Sequence, residues 1–210
     1  MNNPIRPYRQ NSLLRFSYSL IAPIYDLFIS RPLLKARTQS LQSLPSDLPA
    51  KVLLSGVGTG LDLPLLPDLH FYTALDFNAE MLSRAKPRRR AGLNINWVLG
   101  DSMELPFADA QFDHVVLHLI TAVVPQPAQC LNEAARVLKP GGTVIIFDKF
   151  LRPRQRAWLR RAFNLFSRHL ATRLDVVFER ELERVPQLQI LSDVPLLAGG
   201  WFRGIVLRKL

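Results

Sequence analysis

The stretch VLLSGVGTGLDLP, from Val52 to Pro64, decides how the chain is interpreted. A run of apolar residues ends here in glycines at alternate positions, which are Gly56, Gly58 and Gly60. This pattern is typical of a buried strand that turns tightly into a helix beneath a ligand, because glycine lets another group approach the backbone closely. Leu54 and Ser55 stand just before the loop, where an acidic residue is expected.

Length and composition predict a globular protein of one domain. The chain has 210 residues, of which 48% are apolar and 21% are charged. Its single cysteine, Cys130, excludes an internal disulfide, and the first residues lack the apolar core of a signal peptide. The longest apolar runs are interrupted by Pro23, Asp26 or His118 and are too short to span a bilayer. We therefore expect a cytoplasmic protein.

The net charge is strongly positive. Lysine and arginine number 27 against 17 aspartates and glutamates, for a formal net charge of +10. Such an excess favours an anionic partner, such as nucleic acid, a membrane surface or an acidic substrate. A basic solvent-facing surface without a partner explains the same composition, so both interpretations stay open.

Short segments rich in β-branched or aromatic residues alternate with helical ones. The predicted strands are Lys51–Gly56, Phe71–Phe77, Ile95–Asp101, Phe112–Ile120 and Gly142–Phe150. The predicted helices are Ala79–Ala85 and Ala128–Leu138, and the sequence KPGG at Lys139–Gly142 predicts a break before the last of these strands. This alternation predicts an α/β fold with a doubly wound, mostly parallel sheet.

Ligands of such a sheet bind beyond the carboxyl ends of its strands. The glycine loop, Asp76, Asp101, His118 and Asp148 all fall at or just after predicted strand ends. The spacing G-x-G-x-G differs from the dinucleotide fingerprint G-x-G-x-x-G, whose last glycine is replaced by Leu61, and no phosphate-loop lysine follows. Asp76, about 20 residues after the loop, suits the hydroxyls of a ribose. Either aspartate could instead cap a helix.

These motifs together resemble the class I S-adenosylmethionine-dependent methyltransferases. The resemblance covers roughly residues 18–150 and rests on VLLSGVGTG, LDFNAEML, GDSMELPF, FDHVV and EAARVLKPGGTVIIFD. It implies a Rossmann-like, seven-stranded sheet with N-terminal helices that cap the cofactor site, so that residues 1–45 form the cap and 46–210 the methyltransferase domain. It also implies S-adenosylmethionine as the cofactor. The residues implied to bind it are Gly56, Gly58, Gly60, Asp76, Phe77, Asp101, Ser102 and Met103.

Within this class the chain is most similar to small bacterial phosphatidylethanolamine N-methyltransferases, and next to the ubiquinone and menaquinone C-methyltransferases. The similarity rests on SLIAPIYDLF, GVGTGLDLP, VVPQP and GGWFRGIVLRKL. It implies that an N-terminal helix closes over the cofactor through Tyr25, and also points to Tyr18. A phospholipid or another small lipophilic molecule would then be the substrate, with a quinone as the alternative. Nucleic acid is disfavoured, because the Asn/Asp-Pro-Pro-aromatic motif of base-amine methyltransferases is absent after the fourth strand.

A lipid substrate would also explain the basic charge. The segment LRPRQRAWLRRAFNLFSRHLATRL places Leu159, Phe163, Phe166 and Leu170 at helical spacing among arginines. A basic amphipathic helix is a candidate for binding an anionic membrane, which would place the protein on the inner membrane face. The cluster RAKPRRRAG from Arg84 to Gly92 could extend that surface or bind RNA phosphates. The alternatives are a helix packed on the domain for the first segment and a solvated turn for the second, and a run such as the second is more often a solvated turn.

Methyl transfer from a sulfonium needs positioning more than a protein nucleophile. An acceptor must lose a proton before or during attack, and the candidate catalytic residues are Tyr25 and His118, with Asp148 as a third. A buried, hydrogen-bonded histidine is the alternative for His118. The scattered histidines and lone cysteine have no metal-ligand spacing, so no metal site is predicted.

Leu54 raises a separate question, because methyltransferases of this class commonly carry an acid at that position. We expect Leu54 to weaken the contact with the methionine end of the cofactor unless Asp62, at the start of the next helix, substitutes for the acid. If nothing substitutes, the alternative is a membrane-binding protein that kept the fold and lost turnover.

Overall fold

The computed structural model describes residues 33–151 and 176–210, and a seven-stranded sheet organises them. The strands are β1 Lys51–Ser55, β2 Phe71–Asp76, β3 Asn94–Leu99, β4 Phe112–His118, β5 Leu138–Lys149, β6 Leu188–Leu197 and β7 Phe202–Lys209. The α-helices are α1 at 33–41, α2 Ala79–Ala85, α3 Pro127–Val137 and α4 Phe178–Leu182. Short 3₁₀ turns cover Leu63–Leu65, Lys86–Arg88 and Ala198–Gly200.

The strand order is β3-β2-β1-β4-β5-β7-β6. All neighbouring strands from β3 to β5 pair in parallel, and only β7 runs antiparallel to its neighbours β5 and β6. The chain moves outward from β1 on one side and then from β4 on the other, so the order reverses between these two strands. This is the doubly wound Rossmann-like arrangement that the sequence predicted, and the reversal is where such sheets bind ligands.

Alternate residues of β1 enter the core on opposite faces of the sheet. Leu53 lies in one buried cluster together with α3 residues such as Leu131. Val52 and Leu54 lie in a second cluster, which includes Leu41 at the end of α1. Both faces are therefore covered, as a parallel sheet requires. Leu54 is only 3% exposed, so the residue at the expected acid position serves as core.

One sequence expectation about the strands needs correction. The sequence KPGG does not break the chain before β5, because that strand already begins at Leu138 and continues through it. Gly141 takes a left-handed φ of +78°, and the register with β4 shifts between Phe112 and His114. A Cβ on Gly142 would lie 2.7 Å from the Asp113 carbonyl oxygen, so glycine permits the irregular approach of β4.

The last two strands were not recognised from hydrophobic pattern. β6 is the edge strand and exposes residues such as Ile190, Leu191 and Val194, so it lacks the alternation of a half-buried strand. Only the family resemblance had implied a seven-stranded sheet. The basic segment from residue 152 to 175 and the predicted cap helices before residue 33 lie outside the described residues. The division into a cap at 1–45 and a domain at 46–210 stays a prediction.

Candidate functional site

The glycine loop follows β1 at the carboxyl edge of the sheet, and each of its glycines has a left-handed backbone. At Gly56, with a φ of +75°, a Cβ would lie 2.7 Å from Cγ1 of Ile120. At Gly60, with a φ of +81°, a Cβ would lie 2.8 Å from Leu63 and 2.9 Å from Ala85. Glycine is needed at these positions for protein packing, because any other residue would collide with its neighbours.

Gly58 differs from its two neighbours in what surrounds it. Its φ is +56°, yet a Cβ there would meet no atom of residues 33–151 and 176–210 within 4 Å. Its N–H donates to Oδ2 of Asp76 over 2.8 Å. The turn is therefore fixed by Asp76 while the space above Gly58 stays open. This is the geometry that a ligand lying against the backbone requires.

Asp76 ends β2 beside this open space. Its Oδ1 accepts a hydrogen bond from the Asn78 N–H at 3.0 Å, in addition to the bond from Gly58. Burial raises the pKa of the Asp76 carboxyl, and these two backbone N–H groups oppose the rise. Asn78 in turn caps α2 by accepting from the N–H of Glu80. Asn78, and not Asp76, therefore caps helix α2. Each oxygen of Asp76 keeps a lone pair that can accept a hydrogen bond from a ribose hydroxyl.

Asp101 and its neighbours follow β3. Oδ1 of Asp101 accepts from the N–H of Met103 at 2.8 Å, which closes a tight turn. Ser102 is buried, and its Oγ accepts from Oγ of Ser55 at 2.8 Å. Ser55 therefore connects the end of β1 to the loop after β3, across β2. In the sequence, Ser55 stood out only because it lies where an acidic residue is expected.

Helix α3 holds the next part of this loop from behind. Glu133 accepts a hydrogen bond from the Leu105 N–H at 2.7 Å. Arg136 donates to the carbonyl oxygens of Leu105 and Phe107 at 3.0 and 2.8 Å, and it pairs with Glu133. These two residues belong to the EAARVLKPGG motif but had been read only as helix. Their bonds fix the backbone that follows Asp101.

Asp62 lies in a buried polar network at the start of the short turn after the loop. Its Oδ1 is 2.7 Å from Nη1 of Arg37 on α1 and 3.1 Å from Nδ1 of His118 at the end of β4. Burial by itself would raise the pKa of Asp62, but the positive charge of Arg37 and the contact with His118 hold it well below its usual range. Asp62 is thus an anion. Its contact with the methionine end of the cofactor stays a prediction.

His118 connects this network to an apolar surface. Its Nε2 lies 3.1 Å from Oγ of Ser40, and its ring meets Phe147 edge-on at 5.6 Å between centroids. Its neighbour Leu119 has a φ of +58°, which is strained for a leucine, and backbone strain of this kind clusters at functional sites. His118 is buried and hydrogen-bonded, which agrees with the interpretation that it is a structural histidine. It also lies at the edge of the sheet where the ligand site is predicted.

Asp148 is fully buried at the end of β5. Its Oδ2 accepts from the N–H of Ala122 and its Oδ1 from that of Lys149, both at 2.8 Å. Burial raises the pKa of the Asp148 carboxyl, and the charge of Lys149 and these N–H groups oppose the rise. Both oxygens are engaged in holding the turn after β4, which favours a structural role over contact with an acceptor.

The remaining candidates divide between described and undescribed residues. Tyr25 and Tyr18 lie outside the described residues, as does the basic segment with Leu159, Phe163, Phe166 and Leu170. In the basic cluster from Arg84 to Gly92, three arginines contact the protein itself. Arg84 pairs with Glu80, Arg88 donates to Thr59, and Arg90 pairs with Asp68.

Comparisons with known proteins agree with this arrangement. Residues 53–146 match the family described as "Methyltransferase domain". The chain is 37% identical over 156 residues to a phosphatidylethanolamine N-methyltransferase of Cereibacter sphaeroides, covering 72% of this chain and 76% of that protein. It is 34% identical over 105 residues to a ubiquinone/menaquinone biosynthesis C-methyltransferase of Roseobacter denitrificans, covering 49% of this chain and 41% of that protein.

A solved structure has a similar fold. It is the 1,6-didemethyltoxoflavin-N1-methyltransferase of Burkholderia thailandensis, determined with bound S-adenosylhomocysteine. Its TM-score to this chain is 0.67 at 18% identity, and the match covers 100% of this chain and 93% of that one. At this identity the likeness concerns the fold.

Proposed function

The chain belongs to the S-adenosylmethionine-dependent methyltransferases, and we propose that it methylates the headgroup amine of a phosphatidylethanolamine-type phospholipid at a membrane surface. The observation that carries the proposal is the 37% identity to a phosphatidylethanolamine N-methyltransferase over 72% of the chain. Because the family is that of active methyltransferases, we do not retain the alternative of a binding protein without turnover.

The residues at the carboxyl edge fit the cofactor. The open space above Gly58 admits a ligand against the backbone, and Asp76 lies beside it with free lone pairs. Asp101 and Met103 form a turn of fixed shape one strand further along, held to β1 through Ser55 and Ser102. We assign the sugar to Asp76 and the adenine to the Asp101–Met103 turn.

When bound, S-adenosylmethionine supplies a methyl group on a positively charged sulfur, which is already activated for transfer. This chain then has to orient the acceptor, exclude water and take up a proton. His118 is positioned for the proton, since it lies at the end of β4 next to the reversal in strand order. Tyr25 is the second proposed catalytic residue.

An apolar cluster beside His118 supports a lipophilic acceptor. Its buried members are Leu33, Ala36 and Phe147, with Leu119, Leu196, Leu197 and Phe202 packed against them. Phe147 contacts both the His118 ring and the Phe202 ring, with centroids 5.6 and 5.8 Å apart. We call this set the acceptor cluster. Burial of acyl or isoprenoid carbon against it would stabilise binding by about 25 cal/mol per Å² of apolar surface.

The net charge of +10 supports a membrane with anionic lipids as the place of reaction. Each basic residue near such a surface contributes about 1 kcal/mol, so a few contacts give reversible, salt-sensitive binding. None of the helices within 33–151 and 176–210 has the length and hydropathy to span a bilayer. Peripheral binding to the inner membrane face therefore belongs to the proposal.

A quinone is the second candidate acceptor, because the chain is also 34% identical to a ubiquinone/menaquinone C-methyltransferase. That match covers less of both proteins than the match to the phospholipid enzyme. Both molecules carry long apolar tails, so contact with the acceptor cluster does not distinguish between them.

The test is a substrate panel with methyl-labelled S-adenosylmethionine. The full chain is incubated with liposomes containing phosphatidylethanolamine, with liposomes containing phosphatidylcholine only, with a demethylated quinone, with small amines and with RNA. We expect label in the lipid fraction of the phosphatidylethanolamine liposomes alone. Label in the quinone would move the assignment to the second candidate. Label in RNA or free amines, with none in lipid, would overturn the lipophilic acceptor while leaving methyl transfer intact.

A further inference from the structure

A chain of four buried polar side chains runs from α1 to β4, and one of them, Asp62, is also the predicted substitute for the missing acid of the glycine loop. Arg37, Ser40, Asp62 and His118 are all less than a tenth exposed. Arg37 and Ser40 lie three residues apart on α1, so they share one face of that helix. Burying four polar groups together is costly unless they satisfy one another, which makes this chain a specific feature of the fold.

The charges in the chain determine where the proton of His118 resides. Arg37 is a permanent cation and holds Asp62 as an anion, so the carboxylate can only accept. Nδ1 of His118 lies 3.1 Å from this carboxylate and must therefore carry hydrogen. The direction of the Nδ1–H bond is not in line with Oδ1 of Asp62. Nε2 then has a free lone pair, and Ser40 donates its hydroxyl proton to it.

The charges of Arg37 and Asp62 cancel, so a neutral imidazole gives the buried network no net charge. Asp148 on β5 also interacts electrostatically with His118. A proton arriving at Nε2 would place a positive charge on the ring beside the Asp62 carboxylate.

We propose that Asp62 and Ser40 make His118 the base of the methyl transfer, with Asp62 fixing the proton on Nδ1 and Ser40 relaying a proton to Nε2. The inference rests on the proposed function, because it needs an acceptor that loses a proton. Ser40 is the relay, and Asp62 is a positioning residue that acts through His118.

The proton balance of the relay is simple. A primary amine is protonated at neutral pH, and its nitrogen lone pair is then unavailable. The acceptor ammonium gives one proton to Ser40 Oγ while the hydroxyl proton of Ser40 moves to Nε2 of His118. The amine lone pair can then form the new N–C bond as the bond between the methyl carbon and the donor sulfur breaks and sulfur keeps its electron pair, and His118 is left as an imidazolium beside Asp62. His118 later returns its proton to water, so serine and histidine are regenerated.

The first test reads the proton position directly and needs no acceptor. In ¹⁵N-labelled full-length protein, the ring nitrogens of His118 are assigned among the four histidines by their loss in His118→Gln. We expect Nδ1 to carry hydrogen in the wild type and Nε2 to carry it in Asp62→Asn, because an amide can donate to Nδ1. Hydrogen on Nε2 in the wild type would overturn the relay, whatever the acceptor proves to be.

The second test uses whichever acceptor the substrate panel identifies. Ser40→Ala removes the relay, and Thr38→Ala is its matched control, since that hydroxyl lies exposed on the same helix and donates only to the Leu34 carbonyl. General acid–base catalysis is typically worth 10²–10⁴-fold. Because His118 stays in place, we expect Ser40→Ala to lower kcat by roughly a hundredfold, the lower end of this range, and to shift the acidic limb of the pH–kcat profile. Thr38→Ala should change neither, and Ser40→Thr should restore part of the rate.

The outcomes separate the relay from the proposed function. A serine with a purely structural role would leave the pH profile unchanged, and equal kcat for Ser40→Ala and Thr38→Ala at every pH would refute the relay. If no acceptor in the panel is methylated, the proposed function fails, and the tautomer of His118 still decides whether the network is built as inferred. Urea unfolding and S-adenosylmethionine affinity of each variant ensure that folded, cofactor-binding proteins are compared.

Discussion

Replacing Gly58 with alanine should separate cofactor binding from stability. The added methyl group meets no atom within 4 Å in the part of the chain that the structure describes, so the main cost to the folded protein is the left-handed backbone at this position. A non-glycine residue in the left-handed region costs about 1–2 kcal/mol. The methyl group does, however, occupy the space that the cofactor is expected to fill. We expect the dissociation constant for S-adenosylmethionine to rise at least about tenfold, or about 1.4 kcal/mol.

Gly60 and Gly199 provide matched variants for this prediction. Gly60→Ala carries the same strain and also places its Cβ 2.8 Å from Leu63 and 2.9 Å from Ala85. Overpacking of this kind costs about 1–3 kcal/mol more, so Gly60→Ala should be the less stable protein. Gly199 has a φ of +64°, and a Cβ there would meet nothing within 4 Å among the described residues; it lies before β7 rather than at the glycine loop. Gly199→Ala should therefore reproduce the strain of Gly58→Ala without loss of affinity.

The measurements are urea unfolding of the ligand-free proteins and calorimetric titration with S-adenosylmethionine. The expected order of stability is wild type, then Gly58→Ala and Gly199→Ala together, then Gly60→Ala. Only Gly58→Ala should combine a small loss of stability with a large loss of affinity. Wild-type affinity in Gly58→Ala would show that the cofactor does not lie against this turn, and the assignment of the open space would be wrong.

Further perturbations test other parts of the chain. Asp76→Asn puts an NH2 group where one carboxylate oxygen accepts from the N–H of Gly58 or Asn78, so we expect the unfolding free energy to fall by about 1–3 kcal/mol and the dissociation constant for S-adenosylmethionine to rise at least about tenfold. Arg203 is buried and pairs with both Asp193 and Glu179. We expect Arg203→Met to lower the free energy of urea unfolding by about 3–5 kcal/mol, because both carboxylates lose their cation. Burial lowers the pKa of His114, so the unfolded chain binds the proton more readily. Stability should therefore fall as pH drops below about 6.5, and His114→Gln should flatten that slope between pH 8 and 5.

Local patterns predicted the central part of the fold well. Parallel strands buried on both faces are continuous apolar runs, and β1 and β2 were placed to within one residue. Helix α2 was placed at its observed bounds, because Asn78 is a strong cap and Lys86–Pro87 ends the regular pattern. The edge strand β6 could not be predicted in this way, because its exposed apolar residues do not alternate with polar ones.

The site residues could be predicted where their residue type and their position in a local motif together indicate a function. The glycines, Asp76 and Asp101 are each marked by position after a strand, and the structure brings the loops that carry them to one edge of the sheet. Ser55, Ser40 and Arg37 were missed because their partners are distant in sequence. Ser40 meets His118 across 78 residues, and Arg37 meets Asp62 across 25. A single sequence contains no local signal for such pairs, since they exist only after α1 packs against the strand ends.

The Arg37–Asp62 pair allows a test of whether Asp62 takes over the role of the acid that is missing at Leu54. Asp62→Ala alone would leave the buried guanidinium of Arg37 without its anion, at a cost of about 3–5 kcal/mol, and any loss of affinity could then reflect disorder. Replacing both residues by apolar ones, as Arg37→Met with Asp62→Leu, should recover most of that stability, because a buried ion pair is often worth no more than good packing. If Asp62 substitutes for the acid that Leu54 lacks, the double variant is stable by urea unfolding but binds S-adenosylmethionine at least about tenfold more weakly. Wild-type affinity in a stable double variant would mean that Asp62 serves only the network with Arg37 and His118, and that the glycine loop holds the cofactor through its backbone.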